Sequence, residues 1–128
     1  MAAHEKERKS PVPRLMVIDG ESDPTALPRV VGKQPMLIKI VSPTCGFCTG
    51  MIEDWNNLRW EGLPSELVLA SVDAQQAHQL PAEVGQLART QGVPTIVFIH
   101  PGGQWAEHKG ERTTAEMAKF VKTMLGKR

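Results

Sequence analysis

The sequence predicts an α/β fold, a central mixed β-sheet flanked by helices on both faces. Three observations carry that expectation. Three apolar runs, Met36–Val41, Leu67–Val72 and Thr95–Ile99, read as buried strands. Helix-type segments separate the runs, as crossovers between parallel strands require. Pro101-Gly102-Gly103 is a strong turn signal after the third run, so a hairpin adds an antiparallel strand.

In chain order, Met1 to Pro13 is a polar tail, expected to be flexible, and one domain is expected over residues 14–128. Leu15-Met16-Val17-Ile18 reads as a short strand closed by Asp19-Gly20. Ser22-Asp23-Pro24 suits a helix cap with proline at the first helical position, and Pro28 keeps that helix very short. Met36 to Ser42 is a central strand stopped by Pro43. A helix follows from about Phe47 to Asn57, with Phe47, Met51, Ile52, Trp55 and Leu58 on one face. Leu67–Val72 is the next strand, with Asp73 capping its end. Pro81 to Arg89 is helical with Val84, Leu87 and Ala88 inward. After Thr95–Ile99 and the glycine turn, Gln104 to Lys109 is a strand broken by Gly110. Thr113-x-x-Glu116 is a capping box for a last helix. Its stripe is Met117, Phe120, Val121, Met124 and Leu125.

The 128 residues suffice for one core. A formal net charge of +1 gives no global attraction to nucleic acid or anionic membrane, so neither is expected as a partner. No stretch approaches the roughly 20 apolar residues of a membrane span. Met1 to Pro11 is charged and lacks an apolar core, so a cytoplasmic location is expected, with packaging or non-standard export as the alternative. A monomer is expected.

Two cysteines, Cys45 and Cys48, are separated by Gly46 and Phe47. A pair this close cannot staple distant segments, so redox chemistry or metal binding is the natural reading. At a strand-to-helix corner the first sulfur lies near unpaired N–H groups, which favour a thiolate and lower its pKa. The second lies one turn later on the inward side. Zinc is the rival chemistry and needs four ligands. No other cysteine exists, and His78, His100 and His108 are spread along the chain, so no metal is expected. Val93-Pro94-Thr95 adds a second element. A cis proline ahead of an apolar strand would turn the Val93 backbone outward, where an extended substrate segment can pair with it.

Met36 to Cys48, Leu69-Ala70-Ser71-Val72-Asp73-Ala74, Gly92-Val93-Pro94-Thr95 and Lys109-Gly110-Glu111-Arg112-Thr113 occur in that order. On these stretches the chain resembles the thioredoxin superfamily, specifically a protein disulfide isomerase-type catalytic domain, over about Leu15 to Leu125. The resemblance implies a thioredoxin fold and a protein thiol–disulfide oxidoreductase. It implies Cys45 as nucleophile, Cys48 as resolving thiol, Pro94 as cis proline, and Gly46 and Phe47 as residues that tune the pair. It implies protein substrates bearing thiols or disulfides, a reductase or sulfhydryl oxidase as redox partner, and no cofactor beyond the Cys45–Cys48 disulfide itself.

The departures from the family pattern are informative. The family's buried acid six residues before the first cysteine is Lys39 here. Buried, Lys39 would modulate the cysteines' pKa values or accept the Cys48 proton. At a sheet margin, or snorkelling to solvent, it would do nothing. Glu53 replaces the family's helix-kinking proline, so a straighter helix is expected. Phe47 stands where isomerase-type sites often place histidine. It offers an apolar contact instead, which implies a redox potential inside the range of roughly −270 to −120 mV. Two alternatives stay open. One is a redox-independent binding or chaperone module with Phe47, Val93 and Trp60 as an apolar patch. The other is a thiol carrier dedicated to a sulfhydryl oxidase or peroxidase.

Overall fold

A computed structural model describes residues 15–20, 23 and 25–126. The polar tail Met1–Pro13, Ser22 and Pro24 lie outside the described residues. The elements are β1 Met16–Asp19, a 3-10 turn Leu27–Arg29, β2 Met36–Val41, α1 Gly46–Gly50 and α2 Ile52–Asn57. A 3-10 turn Leu58–Trp60, β3 Val68–Asp73, a 3-10 helix Ala74–Gln79 and α3 Ala82–Gln91 follow. β4 Thr95–Ile99, β5 Trp105–Glu107 and α4 Thr114–Leu125 complete the domain.

The five strands form one mixed sheet in the order β1-β3-β2-β4-β5. β1 and β2 both run parallel to β3, whereas β4 is antiparallel to β2 and β5. The apolar runs supply the inner strands because these have packed faces on both sides. β2 is buried at every position, and so is β4. β1 is a short edge strand, and Met16 and Val17 are exposed on it. The Pro101-Gly102-Gly103 turn joins β4 to β5 as expected. Gly102 and Gly103 have φ of +97° and +102°, backbone that a side chain would strain.

Side-chain alternation along β2 separates two cores. Ile38 and Ile40 pack with Val68, Val84 and Ala88 on the α3 face. Leu37 packs with Trp55, Phe98, Met117 and Val121 on the face covered by α1, α2 and α4. α4 begins as its capping signal requires, with Thr113 Oγ1 accepting from the Glu116 N–H at 3.2 Å.

The structure corrects two expectations of local geometry. The helix after the cysteines is not straight: it is interrupted at Met51, whose φ and ψ are −102° and 3°. Gly50 immediately precedes the break, and glycine costs a helix more than any residue but proline. There the Met51 N–H bonds back to the Cys48 carbonyl at 3.4 Å, a tighter turn than an α-helix makes. Asp73 does not merely close a strand. Its carboxylate accepts from the Gln75 N–H at 2.8 Å and caps the 3-10 helix Ala74–Gln79.

Candidate active site

β2 ends at Val41, and the chain turns at once. The Cys45 N–H donates to the Ser42 carbonyl at 3.1 Å, and the Thr44 N–H meets Ser42 Oγ at 3.4 Å. Pro43 lies inside this turn, where its fixed φ suits the second position. The turn delivers Cys45 to the N-cap of α1 in an extended conformation, φ −90° and ψ 113°.

Cys45 and Cys48 form a disulfide with Cα atoms 5.2 Å apart. The two sulfurs differ in surroundings. Cys45 is half-buried, and its Sγ accepts the Cys48 N–H at 3.0 Å. Cys48 is 5% exposed and faces inward. Because α1 has only five residues before the break, what favours a thiolate at Cys45 is this local N–H rather than a long aligned helix. Gly46 and Phe47 cross the open side. A Cβ on Gly46 would meet nothing within 4 Å, and Phe47 is 75% exposed.

The neighbouring strand brings the proline loop to the same end of the sheet. Ile40 pairs with Thr95, so Pro94 falls opposite Val41, where the chain departs toward Cys45. The Val93–Pro94 peptide is cis, as the sequence suggested. The loop is held by a residue that sequence reading passed over. Thr95, 2% exposed, donates its hydroxyl to the Gly92 carbonyl at 2.6 Å, bridging both sides of the Val93–Pro94 peptide. Thr-after-Pro was visible as a motif, but its role needed the folded loop.

Lys39 does not sit at a sheet margin. It is on the central strand between β3 and β4, 9% exposed, with Nζ 5.3 Å from the centre of the Trp55 ring. The ring's negative face suits a cation there. Trp55 comes from α2, so Lys39 reaches beneath the helix that follows Cys48. A further polar tie joins α2 to α4. Asp54 Oδ1 accepts the Thr114 N–H at 2.9 Å and the Thr114 hydroxyl at 2.8 Å. These bonds hold the Asp54 carboxyl below its ordinary value of 3.8.

Among the described residues, no group of three or more histidine, cysteine or acidic side chains is placed to hold a metal ion, and no helix is long and apolar enough to cross a membrane.

A mixed sheet with a Cys-x-x-Cys pair at the end of its central strand, opposite a cis proline, defines a class of redox domain. Residues 23–123 match the family model for thioredoxin, and the chain belongs to the thioredoxin family. It is 30% identical over 100 residues to protein disulfide isomerase-like 1-4 of Arabidopsis thaliana, covering 76% of this chain and 15% of that protein. It is 35% identical over 91 residues to protein disulfide isomerase-like 1-4 of Oryza sativa subsp. japonica, covering 67% of this chain and again 15% of the relative. The chain thus corresponds to a small part of those proteins. In fold it is similar to the first thioredoxin domain of mouse protein disulfide-isomerase A4, with TM-score 0.62 and 21% identity over 84% of this chain and 73% of that one. It is equally similar to the Trx4 domain of ERdj5, with TM-score 0.62 and 17% identity over 89% and 99% of the two chains.

Proposed function

We propose that this protein exchanges dithiol for disulfide with protein substrates through Cys45 and Cys48. The relatives named as disulfide isomerases support thiol–disulfide oxidoreductase chemistry at family level. The observation that carries the reading is the asymmetry of the two cysteines: one partly exposed with its sulfur touched by an N–H, the other shielded.

In the reducing direction, the Cys45 thiolate attacks a substrate disulfide. A mixed disulfide forms and one substrate sulfur leaves as a thiolate, which takes a proton. Cys48 loses its proton and attacks Cys45 Sγ. The second substrate thiol leaves, and the Cys45–Cys48 disulfide is restored. Two electrons pass from the pair to the substrate, and running the steps backward oxidises a substrate dithiol. The cysteine pair stores the electrons, so no other cofactor is needed. Val93 offers its main chain to an extended substrate segment beside Pro94, and Gly46 and Phe47 face the incoming chain. Lys39 acts on the sulfurs through its charge, from below the helix.

Reduction of insulin, with the protein recycled by dithiothreitol, tests the proposal. Cys45→Ser is expected to abolish the rate, and Cys48→Ser to accumulate mixed disulfides visible on a non-reducing gel. A wild-type rate equal to the dithiothreitol background overturns it.

A further inference from the structure

We infer that the site selects polypeptides carrying an acidic side chain close to the reacting cysteine, and that Lys109 and Arg112 read it. The inference rests on the redox reading above and names the substrate class of that same site. A cleft of about 420 Å³ opens beside the Val93–Pro94 peptide. One wall is the segment Gln91 to Pro94, the edge on which a substrate segment would lie. The facing wall is Glu107 to Gly110 and Arg112, at the end of β5 and in the loop that leads to α4.

The charged groups lining the cleft are Glu107, Lys109 and Arg112, with the imidazole of His108 between them. Glu107 is already engaged: its carboxylate accepts the Gln91 side-chain amide at 2.6 Å. Lys109 and Arg112 are exposed, and neither makes an ion pair or side-chain hydrogen bond with another described residue. Glu111 is exposed on the same loop and does not line the cleft. Two cations therefore face the proline loop with one committed acid, leaving a positive balance.

The loop that carries them is held in place. The His108 N–H donates to the Ile96 carbonyl at 2.8 Å, which ties the loop to β4. His108 Nε2 lies 2.7 Å from the Glu111 carbonyl oxygen, and the ring packs 5.0 Å from Phe120 of α4. Gly110 lets the chain close over that ring, since a Cβ there would come within 3.2 Å of it. Lys109 thus projects from fixed backbone, so the loop itself needs no ordering when a carboxylate arrives. Charges placed along a binding edge act chiefly on partner choice and encounter rate.

The test uses three disulfide peptides of equal length that differ only in the residues flanking cysteine: glutamate, glutamine or lysine. The expected kcat/KM of the glutamate peptide exceeds that of the glutamine peptide about fivefold at low ionic strength, with the lysine peptide slowest. The differences collapse at about 0.5 M salt, where screening is short-ranged. In Lys109→Glu the glutamate-to-glutamine ratio inverts, and in Lys109→Gln and Arg112→Gln it falls toward unity. Should a variant not fold, the wild-type ranking and its salt dependence still decide. Equal kcat/KM for all three peptides, or an unchanged ratio in folded Lys109→Glu, overturns the inference and leaves the redox reading standing. Turnover of none of them by folded wild-type protein removes both.

Discussion

The two ends of the β2–β4 pair differ in what they bury. At one end Met36 and Leu37 lie against Phe98 and Ile99, all fully enclosed and apolar. At the other, Lys39 and Ile40 lie against Ile96 and Thr95. Lys39 and Thr95 are the buried polar side chains among the described residues, and both stand at the end that carries the cysteines and the proline loop. Burying a polar group costs free energy unless it is bonded. Here each has a partner at hand, the Gly92 carbonyl for Thr95 and the Trp55 ring for Lys39. One end of the pair serves stability alone. The other gives up apolar packing to bury two polar groups at the end of the sheet that carries the cysteines and the proline loop.

Four substitutions would break or sharpen that contrast. The largest expected effect is at the apolar end. Phe98→Ala should cost about 3–5 kcal/mol by denaturant unfolding, with turnover per folded molecule unchanged. Thr95→Val should cost about 1–2 kcal/mol, because the Gly92 carbonyl loses its donor. Its kcat/KM should fall several-fold, since the proline loop is no longer held. Lys39→Met keeps the volume while removing the charge, so its stability should lie within about 1.5 kcal/mol of wild type. Its pH–rate profile for disulfide exchange should shift relative to wild type. If Phe98→Ala altered that profile more than Lys39→Met does, the division between the ends would fail.

Asp54→Asn should give the smallest effect, one present at neutral pH and lost in acid. The Thr114 bonds favour the ionised carboxylate, so its folded-state affinity for a proton is weaker than in the unfolded chain. The stabilisation is complete above the ordinary value of 3.8 and fades as pH falls below it. The stability gap between wild type and Asp54→Asn, followed by thermal melts, should narrow from pH 6 to pH 3. A gap constant across that range would remove the carboxylate from the account.

Much of this architecture could be read from the chain because it rests on local pattern. β4 follows from an unbroken apolar run between Pro94 and Pro101, and α4 from Thr113-x-x-Glu116 with its stripe. The cysteine pair and proline loop were legible as motifs. Features that depend on distant or subtle geometry were not. Asp54 and Thr114 are 60 residues apart, and nothing in either neighbourhood announces the other. The break at Met51 is hard to read from the chain because no proline marks it, and a single glycine such as Gly50 is tolerated in many helices. Lys39 was ambiguous because a charge in an apolar run argues for exposure while the run argues for burial. Only the presence of β3 and β4 on either side, with Trp55 overhead, decides between them.

The most direct measurement is the alkylation rate of each cysteine in the fully reduced protein, resolved by mass spectrometry of its peptides at neutral pH. Cys45 should react with iodoacetamide at least about tenfold faster than Cys48, since it alone combines access with a facing N–H. Equal rates, or faster modification of Cys48, would contradict the assignment of nucleophile and resolving thiol.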